Sequence, residues 1–129
     1  MAVIFACPVP ILRMFSLDRT LEFYVDYLGC SVDWQHRFED DLPLYMQVSR
    51  AGLVLHLSEH HGDGSPGANI RIPTQGVEAL HAELHSKNYR YLRPGLETAP
   101  WGERLLILLD PAGNRLQFVE PLGKEADHG

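Results

Sequence analysis

Cysteine is scarce in this 129-residue chain: Cys7 and Cys30 are its only two, so no disulfide framework or paired-cysteine metal site can be written. Both read as reduced core residues. Long hydrophobic runs are also lacking. The apolar start from Ala2 to Pro10 has no basic residue before it, carries prolines at 8 and 10 and runs into Arg13. It resembles neither a signal peptide nor a membrane span, and the expected compartment is the cytoplasm. Positive charge is in short supply, with 11 Lys+Arg against 17 Asp+Glu and a formal charge of -6. A polyanion would meet net repulsion, so nucleic acid is not an expected partner, whereas a cationic ligand is. Two chemical motifs are missing as well. No Gly-x-Ser-x-Gly elbow supplies a nucleophile, and Gly62-Asp63-Gly64-Ser65-Pro66-Gly67 lacks the Lys of a phosphate-binding loop and contains a Pro. That run reads as a linker.

What is present is an ordinary globular composition, 45% hydrophobic and 22% charged, broken by nine prolines and eleven glycines. Many turns and short elements follow, which fits a mixed α and β architecture and not a coiled coil. An internal repeat organises it. The segment from Arg50 to Glu59 aligns without a gap on that from Pro111 to Glu120, with Ala, Gly, Leu and Glu coinciding. Each copy reads as a turn at Gly followed by an alternating strand, preceded by another apolar stretch (Leu42 to Val48, Leu105 to Leu109), hence a hairpin. Upstream of each hairpin lies a helical pattern. Leu17, Leu21, Tyr24 and Leu28 form the first, with Ser16 as the expected N-cap; Val77, Leu80 and Leu84 form the second, with Thr74 as the expected N-cap. Short strands are expected before each helix, over Val9 to Met14 and Asn69 to Ile72, and after each helix, over Ser31 to Phe38 and Tyr89 to Arg93. The chain thus reads as an α+β fold of one domain over residues 1–129. It holds two βαβββ modules, about 1–60 and about 67–122, joined through His61 to Ala68. One module of about sixty residues buries a small fraction of its surface, so the two should pack together and dimerise.

Two clusters carry candidate chemistry. His56-Leu57-Ser58-Glu59-His60-His61 places three imidazoles and a carboxylate within six residues, a composition suited to a divalent transition metal. On a strand, however, only His56 and His60 share a face, two pleats apart, and hydrogen-bonding or turn roles are the plainer reading. The second cluster is aromatic and acidic: Trp34, Phe38, Glu39, Asp40 and Asp41, and later Glu97, Trp101 and Glu103. Aromatic faces flanked by carboxylates suit a flat cation, although Trp and Phe most often fill cores and acidic runs most often form solvated loops.

The tandem repeat with Phe23-Tyr24 and Leu28-Gly29 resembles the vicinal oxygen chelate superfamily of glyoxalases and extradiol dioxygenases. Pro100-Trp101-Gly102-Glu103-Arg104, Asp110-Pro111-Ala112-Gly113-Asn114 and Phe118-Val119, with the proline-bearing Pro8-Val9-Pro10, look most like bleomycin resistance proteins. The resemblance spans about Pro8 to Glu120 and implies βαβββ modules forming curved mixed sheets. It also implies a homodimer with exchanged amino-terminal strands that sequesters a small molecule of the bleomycin type, without a cofactor or metal. Its implied ligand-binding residues are Trp101 and Gly102 of the Pro-Trp-Gly motif, Phe38 from the other subunit, Trp34, and the acids Asp40 and Asp41. The metal positions of the superfamily's enzymes fall on Val9, His56, Asn69 and Gln117, of which only His56 is a good ligand. The alternative implied by the resemblance is a glyoxalase- or dioxygenase-type enzyme. It would hold a divalent metal ion through His56 with Gln117, Glu59, His60 or Glu120.

Overall fold

The computed structural model describes residues 2–37 and 39–122. The first half runs β1 (Ile11–Arg13), α1 (Leu17–Leu21), β2 (Ser31–His36), β3 (Tyr45–Arg50) and β4 (Leu53–Ser58). The second half runs β5 (Asn69–Pro73), α2 (Val77–Ser86), β6 (Leu96–Ala99), β7 (Glu103–Leu109) and β8 (Arg115–Pro121). The βαβββ order therefore occurs twice. Each half forms a four-stranded mixed sheet, ordered β1-β4-β3-β2 and β5-β8-β7-β6, with its first strand parallel to its last and its other pairs antiparallel. Among the described residues no helix is long and apolar enough to cross a membrane.

Local chemistry explains where the helices start. Ser16 caps α1 by accepting a hydrogen bond from the Arg19 amide at 3.2 Å. The helix then widens into a π-helical stretch, Glu22–Tyr27, which buries Phe23, Tyr24 and Tyr27. Thr74 does not cap α2, contrary to expectation. Its hydroxyl donates back to the Ile72 carbonyl at 2.8 Å, and Gly76, in the left-handed region at φ 91°, is the capping residue. The Glu120 carboxylate on β8 accepts from the Gly76 and Val77 amides at 3.1 and 3.0 Å. A carboxylate from a distant strand thus does the work expected of a local hydroxyl, and it also favours the positive end of the helix.

Other boundaries shift for identifiable reasons. The expected strand at Tyr89 to Arg93 is a turn, and the strand that pairs with β7 is Leu96–Ala99. The tyrosines there pack elsewhere: Tyr89 stacks on Tyr27 at 4.5 Å between ring centres, and the Arg19 guanidinium lies 4.0 Å from the Tyr91 ring centre. β1 begins at Ile11, because Pro8 and Pro10 have no amide hydrogen to give a sheet. Cys30 is buried as expected, but Cys7 is exposed on the chain leading into β1.

One hydrophobic core draws on both halves, including Phe23, Tyr24, Met46, Leu55, Leu84, Leu106 and Phe118. A polar knot ties the halves together at Asp110-Pro111-Ala112-Gly113-Asn114. The buried Asp110 carboxylate accepts from the Tyr24 hydroxyl at 2.6 Å, the Asn114 amide side chain at 2.8 Å, and the Ala112 and Asn114 backbone amides at 2.9 and 2.8 Å. Asn114 in turn donates to the Arg13 carbonyl at 2.9 Å and accepts from the Ala68 amide at 3.1 Å. Each polar atom buried there thus finds a partner, as burial demands. The linker is also built into the fold. Ser58 donates to Asp63 at 2.7 Å, and Gly64 lies so close to β1 that a side-chain carbon there would stand 3.1 Å from the Ile11 carbonyl oxygen.

Candidate functional site

Strand alternation gives each sheet a core face and an open face. In the first sheet Met46, Val48, Leu55 and Leu57 face the core, while cross-strand register sets Trp34, Gln47, His56 and Ile11 in a row on the open face. Trp34 is 42% exposed and so does not fill the core. It stacks on Tyr45 at 5.9 Å with an interplanar angle of 10° and meets the edge of His56 at 5.2 Å. A hydrogen-bonded chain holds this platform. Gln47 Nε2 donates to Asp33 Oδ2 at 3.0 Å, so its Oε1 is the acceptor 3.0 Å from His56 Nε2. The imidazole therefore carries its proton on Nε2, and its Nδ1 accepts from the Tyr45 hydroxyl at 2.6 Å. Hydrogen bonds from Gln47 and Ser49 hold the Asp33 carboxyl below the usual carboxylate range.

The open face of the second sheet carries Arg71, Gln117 and Ile107 in one row, with Glu103 on the same face of β7 four residues before Ile107. Trp101 stands 67% exposed in the β6–β7 turn, which Gly102 closes at φ 95° by donating to the Ala99 carbonyl at 3.0 Å. Its indole nitrogen donates to Glu103 Oε1 at 2.5 Å, and Arg71 pairs with the same carboxylate. The ring is thereby fixed yet open to solvent. The Arg71 hydrogen bond, followed by that from Trp101, lowers the Glu103 pKa, so the platform sits beside a carboxylate that stays ionised.

The remaining expected residues divide. Asp40 and Asp41 are exposed in the turn after β2. Asp41 borders a shallow depression of about 410 Å³ with Arg13, Arg37 and Glu59, away from both tryptophans. Phe38 lies outside the described residues. A larger groove of about 1110 Å³ runs between the modules, lined by Pro8, Pro10, Leu53, Ile70, Leu80 and Phe118 among others, and neither Trp34 nor Trp101 borders it. Tyr45, Gln47 and Asp33 escaped sequence reasoning. The alternation Tyr45-Met46-Gln47-Val48 places them on the open face, but only the register shows that they meet His56.

Of the donors expected for a metal, His56, Glu59 and Glu120 are already engaged, and His60 lies beside the Tyr45 ring at 6.5 Å between ring centres. Both His56 nitrogens have partners, and Gln117 donates to Asn69 at 2.6 Å on the other sheet. Glu59 accepts from the Leu44 amide at 2.8 Å and lies beside Arg37, and Glu120 caps α2. Val9 has no donor atom. Among the described residues no three His, Cys, Asp or Glu side chains cluster to hold a metal ion. These side chains do not fit the superfamily's metal centre.

A family model described as glyoxalase superfamily protein matches residues 1–125. The chain belongs to the glyoxalase superfamily. No curated protein matches it. Among solved structures, a bleomycin-binding protein complexed with bleomycin superposes with a TM-score of 0.67 at 19% identity, covering 90% of this chain and 98% of that one. A bleomycin resistance determinant encoded on the transposon Tn5 superposes with a TM-score of 0.70 at 21% identity, covering 91% and 98%. A glyoxalase-related enzyme from Clostridium phytofermentans gives a TM-score of 0.67 at 18% identity, covering 92% and 97%. At these identities the likeness establishes the shared fold, and the superfamily member's activity rests on its own side chains.

Proposed function

We propose that this glyoxalase-superfamily protein is a cytoplasmic binding protein that sequesters a cationic aromatic small molecule of the bleomycin type, with no cofactor, metal or chemical step. The observation that carries the reading is the pair of exposed tryptophan platforms. Trp101 is pinned by its indole N–H to an ionised Glu103, and Trp34 is stacked on Tyr45 beside Asp33. A fixed aromatic plane next to a carboxylate attracts a flat cation through both its face and its charge, and loses little side-chain freedom on binding. The net charge of -6 draws such a ligand in and repels polyanions.

Homodimerisation with exchange of the amino-terminal segment belongs to the same proposal. Val3, Ile4 and Phe5 are 78%, 89% and 90% exposed, an apolar stretch ahead of the hinge prolines Pro8 and Pro10. β5 is an edge strand flanked by the apolar groove, a surface to which a partner's segment can add. Burying those three side chains contributes roughly 1.5–3 kcal/mol each. A dimer would set the open face of one subunit's first sheet against that of its partner's second sheet, with Phe38 supplied across the interface.

The test is titration calorimetry of chelator-treated protein with metal-free and with copper-bound bleomycin, alongside elemental analysis and sedimentation. Saturable binding of one ligand per subunit of a dimer, with no metal that depends on His56, is the expected result. Absence of binding together with near-stoichiometric iron, zinc or manganese that is lost in His56→Ala would overturn it in favour of a metal-dependent enzyme.

A further inference from the structure

Away from both tryptophan platforms, helix α2 carries His81 and His85 one turn apart. Residues four apart on a helix stand one above the other, so the two imidazoles share a surface stripe. Their ring centres are 5.8 Å apart, with planes inclined by 36°. Two imidazoles bound side by side to one ion, with metal–nitrogen bonds of about 2.0–2.1 Å, have ring centres roughly 4.5–5.5 Å apart. A rotation of the exposed His85 side chain would bring the rings into that range while His81 stays in place. The environment of His81 adds an independent feature. Its Nε2 lies 3.1 Å from the Pro94 carbonyl oxygen. A carbonyl only accepts, so the proton is on Nε2 and the Nδ1 lone pair is unprotonated, the arrangement by which a backbone carbonyl orients a metal-ligating histidine. His85 is exposed in the last turn of α2, where the negative end of the helix dipole favours a cation.

We propose that His81 and His85 form a two-histidine surface chelate for a late divalent transition metal, with water completing the coordination. The chemistry selects Cu²⁺, Ni²⁺ and Zn²⁺ over Mg²⁺ and Ca²⁺, because both protein donors are neutral nitrogens. Ni²⁺ titrated into the chelator-treated, reduced full chain tests the site, with ¹H–¹⁵N spectra recorded at pH 7.5. The expected result is one Ni²⁺ per chain, with paramagnetic broadening centred on the amides of α2. His85→Ala should weaken binding at least roughly tenfold, and the double variant His60→Ala/His61→Ala should leave it unchanged. His85 is on the surface, so its loss should not disturb folding, which the unchanged spectrum of the metal-free variant checks. No saturable binding, unaltered affinity in His85→Ala, or broadening centred on the 56–61 segment would each overturn the proposal.

Discussion

Tyr24, Asp110 and Asn114 hold the two modules together through bonds that water cannot replace, since Asn114 is fully buried and Asp110 nearly so. Tyr24→Phe removes one donor from a buried carboxylate and should lower stability by about 1–3 kcal/mol, read as a shift in the urea midpoint at unchanged slope. An unchanged midpoint would show that the knot is dispensable. At the proposed ligand face, Trp101→Ala should weaken binding of a flat cation by about 1–3 kcal/mol in calorimetry while sedimentation still shows the same assembly. An unaltered dissociation constant would count against the platform. Trp101 and Trp34 stand out in the sequence because they lie outside the helical stripes and among acidic residues. The roles of Tyr45, Gln47 and Asp33 did not, because a period of two assigns a side chain to a face and says nothing of its neighbour across the sheet. The Asp110 to Asn114 motif was recognisable too, but as a family resemblance; its job of crosslinking Tyr24, Arg13 and Ala68 spans up to 101 residues of sequence and needs the fold to be seen.

The glycine-rich linker illustrates the same distinction among whole elements. Its composition marked it as a connection between modules, whereas its seat against β1 came from the structure. Gly64 has no room for a side chain, because a Cβ would lie 3.1 Å from the Ile11 carbonyl oxygen and 3.5 Å from the Arg13 amide nitrogen. Gly62 has nothing within 4 Å. Gly64→Val should therefore destabilise the protein by about 1–3 kcal/mol through overpacking against backbone, while Gly62→Ala should be neutral or slightly stabilising. Equal urea midpoints for the two variants would show that the linker lifts freely from β1. Helix and hairpin order was legible because hydrophobic period and turn residues are local signals. The displaced strand was not: β6 is fixed by pairing Leu96 with Leu106, and the tyrosines that mimic a strand at 89 and 91 are drawn to Tyr27 and Arg19. The π-helical turn was equally hidden, since Phe23, Tyr24, Tyr27 and Leu28 fit the apolar stripe of an α-helix as well.

Across the whole molecule, titration sets a window of stability whose two edges have different origins. Burial first, and the neighbouring Asp110 second, hold the Tyr24 hydroxyl well above its ordinary pKa, and burial pushes the Cys30 thiol up to about 11 against the opposing pull of Arg50. For a group whose folded pKa is raised, the stabilisation is complete below the unfolded value and fades as pH rises towards the folded one. The alkaline edge should therefore begin near the unfolded Cys value of about 8.5 and steepen above the unfolded Tyr value of about 10. The acid edge works in reverse. Glu83 is held low first by its hydrogen bonds from Arg50, and Glu103 by Arg71, so what these pairs contribute is present above the usual carboxylate range and is lost as pH falls through their lowered values. Both pairs are substantially solvated, so the acid edge should be shallow and weakened by salt, whereas the alkaline edge should resist salt because its groups are buried. Urea midpoints across pH 3–11 at low and high salt check this. In Tyr24→Phe the steep part of the alkaline decline should become shallower, with Tyr27, Tyr45 and Tyr89, whose hydroxyls burial also raises, supplying what is left, while the onset due to Cys30 remains; Cys30→Ala should remove that onset. An alkaline edge unchanged by both substitutions would place its origin in groups other than Tyr24 and Cys30.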